Sequence, residues 1–124
     1  MYDDPGIRVP ERPAEPAALA VDRALDEVYE WQRETFPLRT PSSIAAHLLE
    51  EAGELAREPL NAEEMADVAM LLAALVRDTG TDLAGAIRAK LARNRARDWS
   101  APPNERGYVK ALGMPGEGGG DGAR

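Results

Sequence analysis

The sequence lacks the residues that build thiolate and multi-histidine sites. Its 124 residues include no cysteine and one histidine, His47. Without cysteine the chain forms no disulfide, no thiolate zinc site and no thiol nucleophile. With one histidine it forms no site that needs several histidines from one chain. The length allows one small domain at most.

Aromatic residues and long apolar runs are also scarce. One Phe, two Trp and three Tyr predict a core built on aliphatic side chains. No apolar run reaches the roughly 18 residues of a membrane-spanning helix. The first 16 residues lack the basic and then apolar order of a secretory signal. We therefore expect a cytoplasmic protein, in the host cytoplasm if the chain is phage-encoded, with no membrane partner.

The balance of charge is acidic. Fifteen basic residues against twenty-two acidic ones give a formal net charge of −7. This balance argues against a broad basic surface for nucleic acid. Small phosphate ligands stay possible, because a bound metal ion reverses the sign of a site locally.

The middle of the chain has the 3.6-residue periodicity of helices and no alternating strand pattern. Prolines break this pattern at 36–41 and at 59, and good N-capping residues precede each new helix. Four helices are predicted: 17–35; a second starting after Ser42 or Ser43 and ending near 58; a third capped by Asn61 and ending at 79, before Gly80; and a fourth capped by Asp82 and ending near 98. Short connections make this an all-α, four-helix bundle.

Both ends of the chain differ in composition from the helical part. Four prolines and many charges fill residues 1–16, which we interpret as an N-terminal arm. Residues 17–99 form the predicted helical domain. Residues 100–124 form a C-terminal extension whose glycine-rich end is a flexible tail.

Acidic residues interrupt the apolar stripes of the second and third helices. Projected at about 100° per residue, Glu51 lies in the middle of the stripe of Ile44, Leu48, Ala52 and Leu55. Glu54 and His47 lie along its edge, and Glu50 points away. In the third helix Glu64 lies within the stripe of Val68, Leu71 and Leu75, and Asp67 lies at its edge. Each helix thus offers two carboxylates three residues apart.

Two interpretations of these carboxylates stay open. Carboxylates facing a core are costly unless they are paired or bind a metal. A hard divalent cation such as Mg²⁺ or Mn²⁺ prefers oxygen ligands and resolves the repulsion. Alternatively, Glu51 and Glu64 lie near the helix edges and reach solvent, or pair with Lys and Arg.

A basic and amide row replaces the apolar stripe in the second half of the fourth helix. Lys90, Asn94 and Arg97 are spaced to project together, and Arg93 flanks them. Beside a carboxylate–metal cluster, this row suits a polyphosphate. An ordinary solvated helix end, with basic residues near the C-terminus, is the alternative.

Together these motifs resemble the MazG-like, all-α nucleoside triphosphate pyrophosphohydrolases. The family's Glu-Glu-x-x-Glu run and following Glu-x-x-Asp read here as Glu50-Glu51-Ala-Gly-Glu54 and Glu64-Met-Ala-Asp67. The later Lys90, Asn94, Arg97 and Trp99 match a third pattern of the family. The resemblance spans about residues 31–109, and the short spacing between its acidic motifs fits the compact single-domain members.

The resemblance implies a metal-dependent enzyme that hydrolyses a nucleoside triphosphate to the monophosphate and pyrophosphate. Two or more Mg²⁺ or Mn²⁺ ions per site are expected. The implied metal ligands are Glu51, Glu54, Glu64 and Asp67. Glu50 is implied as a further metal ligand or as a base that orients the attacking water. Glu50 and Glu51 are the implied catalytic residues. The implied phosphate-binding residues are Lys90, Asn94 and Arg97, with Arg93 beside them.

The segment from Trp31 to Leu48 resembles a bacterial and phage subgroup associated with purine deoxynucleotides. Trp31, Phe36 and His47 are the candidates for base contacts, and core packing is the alternative for the first two. We expect dGTP or dATP as substrate. The alternatives are dUTP, dCTP or phosphoribosyl-ATP on the same fold, or a non-catalytic helical dimerisation or regulatory module.

The predicted core is thin for an independent domain. The resemblance implies a homodimer or homotetramer, and we expect the face with Met70, Ala73, Ala74 and Leu75 to be buried by another subunit. A neighbouring chain then completes the active site.

Overall fold

The part of the chain that the structure describes is all-α with four helices, as predicted. A computed structural model describes residues 17–113, so the predicted arm at 1–16 and the glycine-rich end of the tail, 114–124, lie outside the described residues. The helices are α1 (Ala17–Thr35), α2 (Pro41–Arg57), α3 (Ala62–Thr79) and α4 (Leu83–Arg95). Within the described part, none of these helices has the length and apolar character needed to cross a membrane.

The described residues form two compact units that divide between Thr81 and Asp82. In the first unit, α2 packs most extensively against α3, and α1 also packs against α3. The second unit holds α4 and an irregular segment that returns toward the helix end, where the Leu112 N–H donates to the Asp98 carbonyl at 2.8 Å.

Local capping chemistry sets most of the helix ends. The Asn61 side chain accepts from the Glu63 and Glu64 amides, and Asp82 accepts from the Gly85 amide at 3.0 Å. α3 ends at Gly80, whose φ of 67° is the left-handed conformation that glycine adopts without strain. These three predicted boundaries are confirmed.

The predicted start of α2 was wrong. Thr40, and neither Ser42 nor Ser43, is the N-cap, and Pro41 begins the helix. The Thr40 hydroxyl accepts from the Ser43 amide at 3.1 Å while the Ser43 hydroxyl accepts from the Thr40 amide at 2.9 Å. Proline suits the first helical position because no intrahelical partner exists there for an N–H. Pro41 therefore starts a helix instead of only breaking one.

The predicted end of α4 was also too late. The helix stops at Arg95, because the Arg97 amide and the Trp99 indole N–H both donate to the Asn94 carbonyl, at 3.2 and 2.6 Å. Asp98 then accepts from the Ser100 amide and hydroxyl. These bonds turn the chain away from the helix axis.

The core of the first unit is small. Among the residues whose side chains are described, only Ile44, Ala74 and Gln32 are buried. Ala74 is 2% exposed, which corrects the expectation that its helix face is left for another subunit. The apolar row that α3 does leave exposed is Met65, Ala69 and Leu72.

An ionic cluster joins α1, α3 and the segment between α1 and α2. Arg39, in the segment between α1 and α2, donates through Nε and Nη2 to the Asp78 carboxylate of α3 at 2.7 and 2.8 Å. The Tyr29 hydroxyl of α1 donates to the same carboxylate at 2.7 Å. The Arg39 hydrogen bonds, and then that of Tyr29, lower the pKa of Asp78 to about 2.

Asp78→Asn is expected to destabilise the fold by about 1–2 kcal/mol at neutral pH. Because the folded-state pKa lies below the unfolded value, the wild-type advantage is complete above about pH 4 and is lost as the pH falls toward 2. Urea unfolding of the wild type and Asp78→Asn from pH 7 to pH 2 measures this difference in the free energy of unfolding. Asp26→Asn is the control, since its ion pair with Arg77 is more exposed. A difference that persists unchanged at pH 2 would contradict the assignment.

Candidate active site

Three carboxylates meet between α2 and α3. Glu51, Glu54 and Glu64 each offer an oxygen, and these oxygens all lie within 4.8 Å of one another. Glu51 and Glu54 are one turn apart on α2, and the Asn61 cap fixes the first turn of α3, which carries Glu64. All three side chains are half-buried. Three members of the two predicted acidic motifs are therefore together in space.

The electrostatics of these carboxylates reflect their crowding. Loss of hydration raises the pKa of Glu51, and the negative charges of Glu54 and Asp67 raise it further. Loss of hydration also raises the pKa of Glu64, followed by the effect of Glu54. Asp67, the fourth predicted ligand, lines the same cleft as Glu51.

The donor set fits a hard divalent cation. It consists of carboxylate oxygens only, which Mg²⁺ and Mn²⁺ prefer. Within the first unit, the charged partner of this cluster is His47, which forms an ion pair with Glu51.

His47 lies beside Glu51. Its Nε2 is 3.4 Å from Glu51 Oε2, one turn along α2, and its ring is more than half exposed. The projection from sequence placed His47 on the edge with Glu54, but its charged neighbour is Glu51. His47 offsets a small part of the rise in the Glu51 pKa.

Glu50 is exposed and is not among the carboxylates that meet. The helix turns it away from the α2–α3 interface, as its position in the projection indicated. Glu51 is in contrast only 13% exposed. The structure thus separates these adjacent residues into a surface carboxylate and a member of the cluster.

A cleft of about 620 Å³ opens beside this cluster. Glu51, Asp67 and His47 line its polar part, and Trp31 and Phe36 line its apolar part. The two aromatic rings pack edge to face with centroids 5.4 Å apart. Both are about half exposed, at 52% and 50%, which is not the burial of core residues. The further lining residues are Gln32, Thr35, Pro37, Leu38, Arg39, Ser43, Ile44, Met70, Leu71 and Ala74.

Four polar lining residues were absent from the predicted site: Gln32, Thr35, Arg39 and Ser43. Gln32 is buried, and its amide donates to the Met70 carbonyl at 3.4 Å. Arg39 lines the cleft from the segment between α1 and α2. Gln32 follows Trp31 directly, so helical periodicity gave no reason to single it out. For Arg39 the one signal in the sequence was its partner, Asp78. The helix dipole disfavours a carboxylate in the last turn of a helix, which indicates that a basic residue compensates it.

The predicted phosphate-binding residues belong to the second unit. Lys90 and Arg93 are exposed on α4, and Asn94 is half-buried. Arg97 lies beyond the helix end, with its guanidinium 5.8 Å from the centre of the Trp99 ring. The expected continuous helical row of Lys90, Asn94 and Arg97 is therefore corrected, because the helix ends between the last two. The Asn94 Oδ1 is buried and accepts no hydrogen bond from the described residues.

Known proteins are similar to this chain in sequence and in fold. The profile of the family described as dATP/dGTP pyrophosphohydrolase matches residues 24–112. A dATP/dGTP diphosphohydrolase of cyanophage S-2L is 44% identical over 94 residues, which is 72% of this chain and 85% of that protein. A solved structure, the cyanophage S-2L MazG-like pyrophosphohydrolase bound to dGDP and three catalytic Mn²⁺ ions per active site, superposes with a TM-score of 0.63. It is 37% identical, and the match covers 82% of this chain and all of that one.

Glu64→Gln is expected to weaken Mn²⁺ binding by about tenfold or more, because it removes one of the converging charges. The same change is expected to raise the melting temperature of the metal-free protein, since it relieves repulsion. Calorimetric titration with Mn²⁺ and thermal unfolding in EDTA measure the two effects. Glu63→Gln is the matched control, because Glu63 is the exposed neighbour with the same charge. Equal Mn²⁺ affinity in both variants would contradict the cluster as a metal site.

Proposed function

The chain belongs to the dATP/dGTP pyrophosphohydrolase family, and on that premise we propose how its own residues carry out the reaction. It is a metal-dependent hydrolase that converts dATP or dGTP to the monophosphate and pyrophosphate. The observation that carries the proposal is the convergence of Glu51, Glu54 and Glu64 beside an aromatic-walled cleft. A cytoplasmic site of action, where nucleotides are available, is part of the proposal.

Glu51, Glu54, Glu64 and Asp67 are the proposed ligands of Mn²⁺ or Mg²⁺. Four carboxylates suit more than one ion, and the cyanophage relative holds three Mn²⁺ per active site. When bound, such ions neutralise phosphate charge and lower the pKa of a water molecule. The chain's own contribution is to hold the ligands on two packed helices, so that little reorganisation accompanies substrate binding.

Glu51 is also proposed to be a catalytic residue. His47 Nε2 lies 3.4 Å from Glu51 Oε2 and restricts the orientation of the Glu51 carboxylate. Glu50 is next to Glu51 in the sequence, but its side chain is exposed to solvent and does not line the cleft. Its proposed role is that of an outer ligand or of a base that orients the attacking water.

Lys90, Arg93, Asn94 and Arg97 are the proposed phosphate-binding residues. The support is the sequence motif, which lies inside the span matched by the family profile. Arginine offers paired donors to phosphate oxygens, and lysine offers a compact charge. The buried Asn94 Oδ1 without a donor among the described residues supports a polar role for this side chain.

The proposed base site is the apolar part of the cleft. Trp31 and Phe36 present half-exposed rings, and aromatic faces bind bases by stacking, worth about 1–3 kcal/mol per base. His47 lies at the boundary between this wall and the carboxylates. The base therefore occupies the aromatic end while the phosphates extend toward the metal ligands.

A homodimer or homotetramer is proposed from the apolar surface that one chain leaves uncovered. The α3 row of Met65, Ala69 and Leu72 repeats at helical spacing and is exposed. With so few buried side chains in the described part, one copy alone gains little from its core. A second copy that covers this row adds the missing apolar burial.

We expect pyrophosphate release from dATP and dGTP with Mn²⁺ or Mg²⁺, and none in EDTA, when the eight common nucleoside triphosphates are compared. Glu51→Gln is expected to lower the rate by about 100-fold or more, because a charge facing the metal is lost. Glu63→Gln is the control with the same charge change on the surface. Release that survives in both Glu51→Gln and Glu64→Gln would show that the site assignment is wrong.

Leu72→Asp is expected to convert the native oligomer to a monomer, because a carboxylate in an apolar interface is costly to bury. Light scattering coupled to size-exclusion chromatography measures the mass. Leu38→Asp is the control, since Leu38 is 91% exposed but lies outside the α3 row. An unchanged mass for Leu72→Asp would place the interface elsewhere, and a monomeric wild type would refute the proposed oligomer.

A further inference from the structure

The segment between α1 and α2 forms one wall of the cleft but has few bonds of its own. Phe36, Pro37, Leu38 and Arg39 line the cleft. Within the segment the Phe36 amide donates back to Gln32, and the Arg39 amide donates to the Phe36 carbonyl at a long 3.3 Å. Short connections with so few bonds open easily by local fluctuation. Something outside the segment must hold the wall in place.

Arg39 supplies that attachment. Its guanidinium binds the Asp78 carboxylate with two parallel hydrogen bonds of 2.7 and 2.8 Å, and its side chain is only 11% exposed. The guanidinium also lies 5.3 Å from the centre of the Tyr29 ring, and Tyr29 donates to Asp78. A two-point bond of this kind fixes orientation as well as distance. The wall is thus fastened to α1 and α3 through one carboxylate.

We infer that Asp78 is a positioning residue for nucleotide binding, which acts through Arg39 to hold Phe36 and its neighbours at the width that the base requires. The inference rests on the proposed function of the cleft. Asp78 itself lies 11 residues beyond Asp67 on α3, about 16 Å along the helix. It therefore belongs to neither the metal ligands nor the residues that line the cleft.

The position of Asp78 is poorly suited to a purely stabilising role. A carboxylate in the last turn of a helix opposes the helix dipole. A partly buried ion pair is also no better for stability than apolar residues of similar size. What the pair provides is a defined geometry for the segment, which apolar contacts would specify less sharply.

Removal of Asp78 is expected to move the segment between α1 and α2 outward. Arg39 Nη1 is already buried without a hydrogen-bond acceptor among the described residues. In Asp78→Asn the guanidinium loses its counter-charge and one of its two acceptor oxygens, and a buried guanidinium without a counter-charge is unfavourable. Outward movement of residues 36–40 hydrates the guanidinium. The same movement withdraws Phe36 from the cleft.

The chain contains a matched control for this ion pair. Asp26 and Arg77 form a salt bridge of the same 2.7 Å length, and it also joins α1 to α3. Arg77 in addition donates to the Leu25 carbonyl at 3.0 Å. Neither residue lies in the segment or lines the cleft. Asp26→Asn therefore removes a more exposed ion pair between the same two helices and leaves both Arg39 hydrogen bonds in place.

The test compares steady-state pyrophosphate release from dATP and dGTP by the full-length wild type, Asp78→Asn and Asp26→Asn at saturating Mn²⁺. Loss of positioning in the bound state raises KM and leaves kcat little changed. We expect about a fivefold or larger rise in KM for Asp78→Asn, and none for Asp26→Asn. A lower kcat at unchanged KM, which indicates only a smaller folded fraction, would overturn the inference.

Hydrogen exchange gives a second measurement that needs no turnover. Within residues 38–40 the hydrogen-bonded amides are those of Arg39 and Thr40, and we expect both to exchange faster in nucleotide-free Asp78→Asn than in Asp26→Asn. If Asp78→Asn does not fold, Arg39→Lys replaces it, because a single ammonium keeps the charge but loses the paired bonds. Equal exchange in variant and control would overturn the inference.

The two proposals fail in different ways. A wild-type protein that releases no pyrophosphate from any nucleotide overturns the proposed function, and the inference about nucleotide binding falls with it. An active wild type whose KM is unchanged in Asp78→Asn overturns the inference alone. A raised KM with faster exchange at Arg39 and Thr40 supports both.

Discussion

Three like charges held within 4.8 Å of one another are the constraint on which the rest of the structure depends. Glu51, Glu54 and Glu64 repel each other, so the folded chain keeps them together only because α2 and α3 pack closely. The Thr40 and Asn61 caps fix where these helices begin and therefore which residues face the interface. A cation then turns an unfavourable arrangement into the favourable one.

The two ends of the cleft are held by different physical means. The carboxylates sit on regular helices, whose backbone hydrogen bonds fix each side chain relative to the next. The aromatic wall depends partly on the segment between α1 and α2, and there Arg39 and Asp78 replace regular structure. The carboxylate end is therefore fixed by regular structure, while the aromatic end depends on a single ion pair.

The parts of the fold that depend on local chemistry were predictable from the sequence. Asn61, Gly80 and Asp82 marked helix boundaries because capping involves residues at most a few positions away, and the acidic pairs emerged from helical periodicity. The start of α2 was misplaced because Thr40, Pro41 and two serines offered competing caps. Gln32 and Arg39 were missed because their place in the cleft depends on how α1 and α3 pack, which no short pattern encodes.

The thin core links stability to function. Ile44 and Ala74 are the buried apolar residues of the described part, and small domains have only about 5–15 kcal/mol of net stability. A ligand present at 100 times its dissociation constant adds about 2.7 kcal/mol. If Glu51, Glu54 and Glu64 are the ligands, as proposed, metal binding is on this scale a substantial part of the total. The ions that the chemistry requires would then also hold together the helices that bind them, and we expect a chain without metal to be less stable as well as inactive.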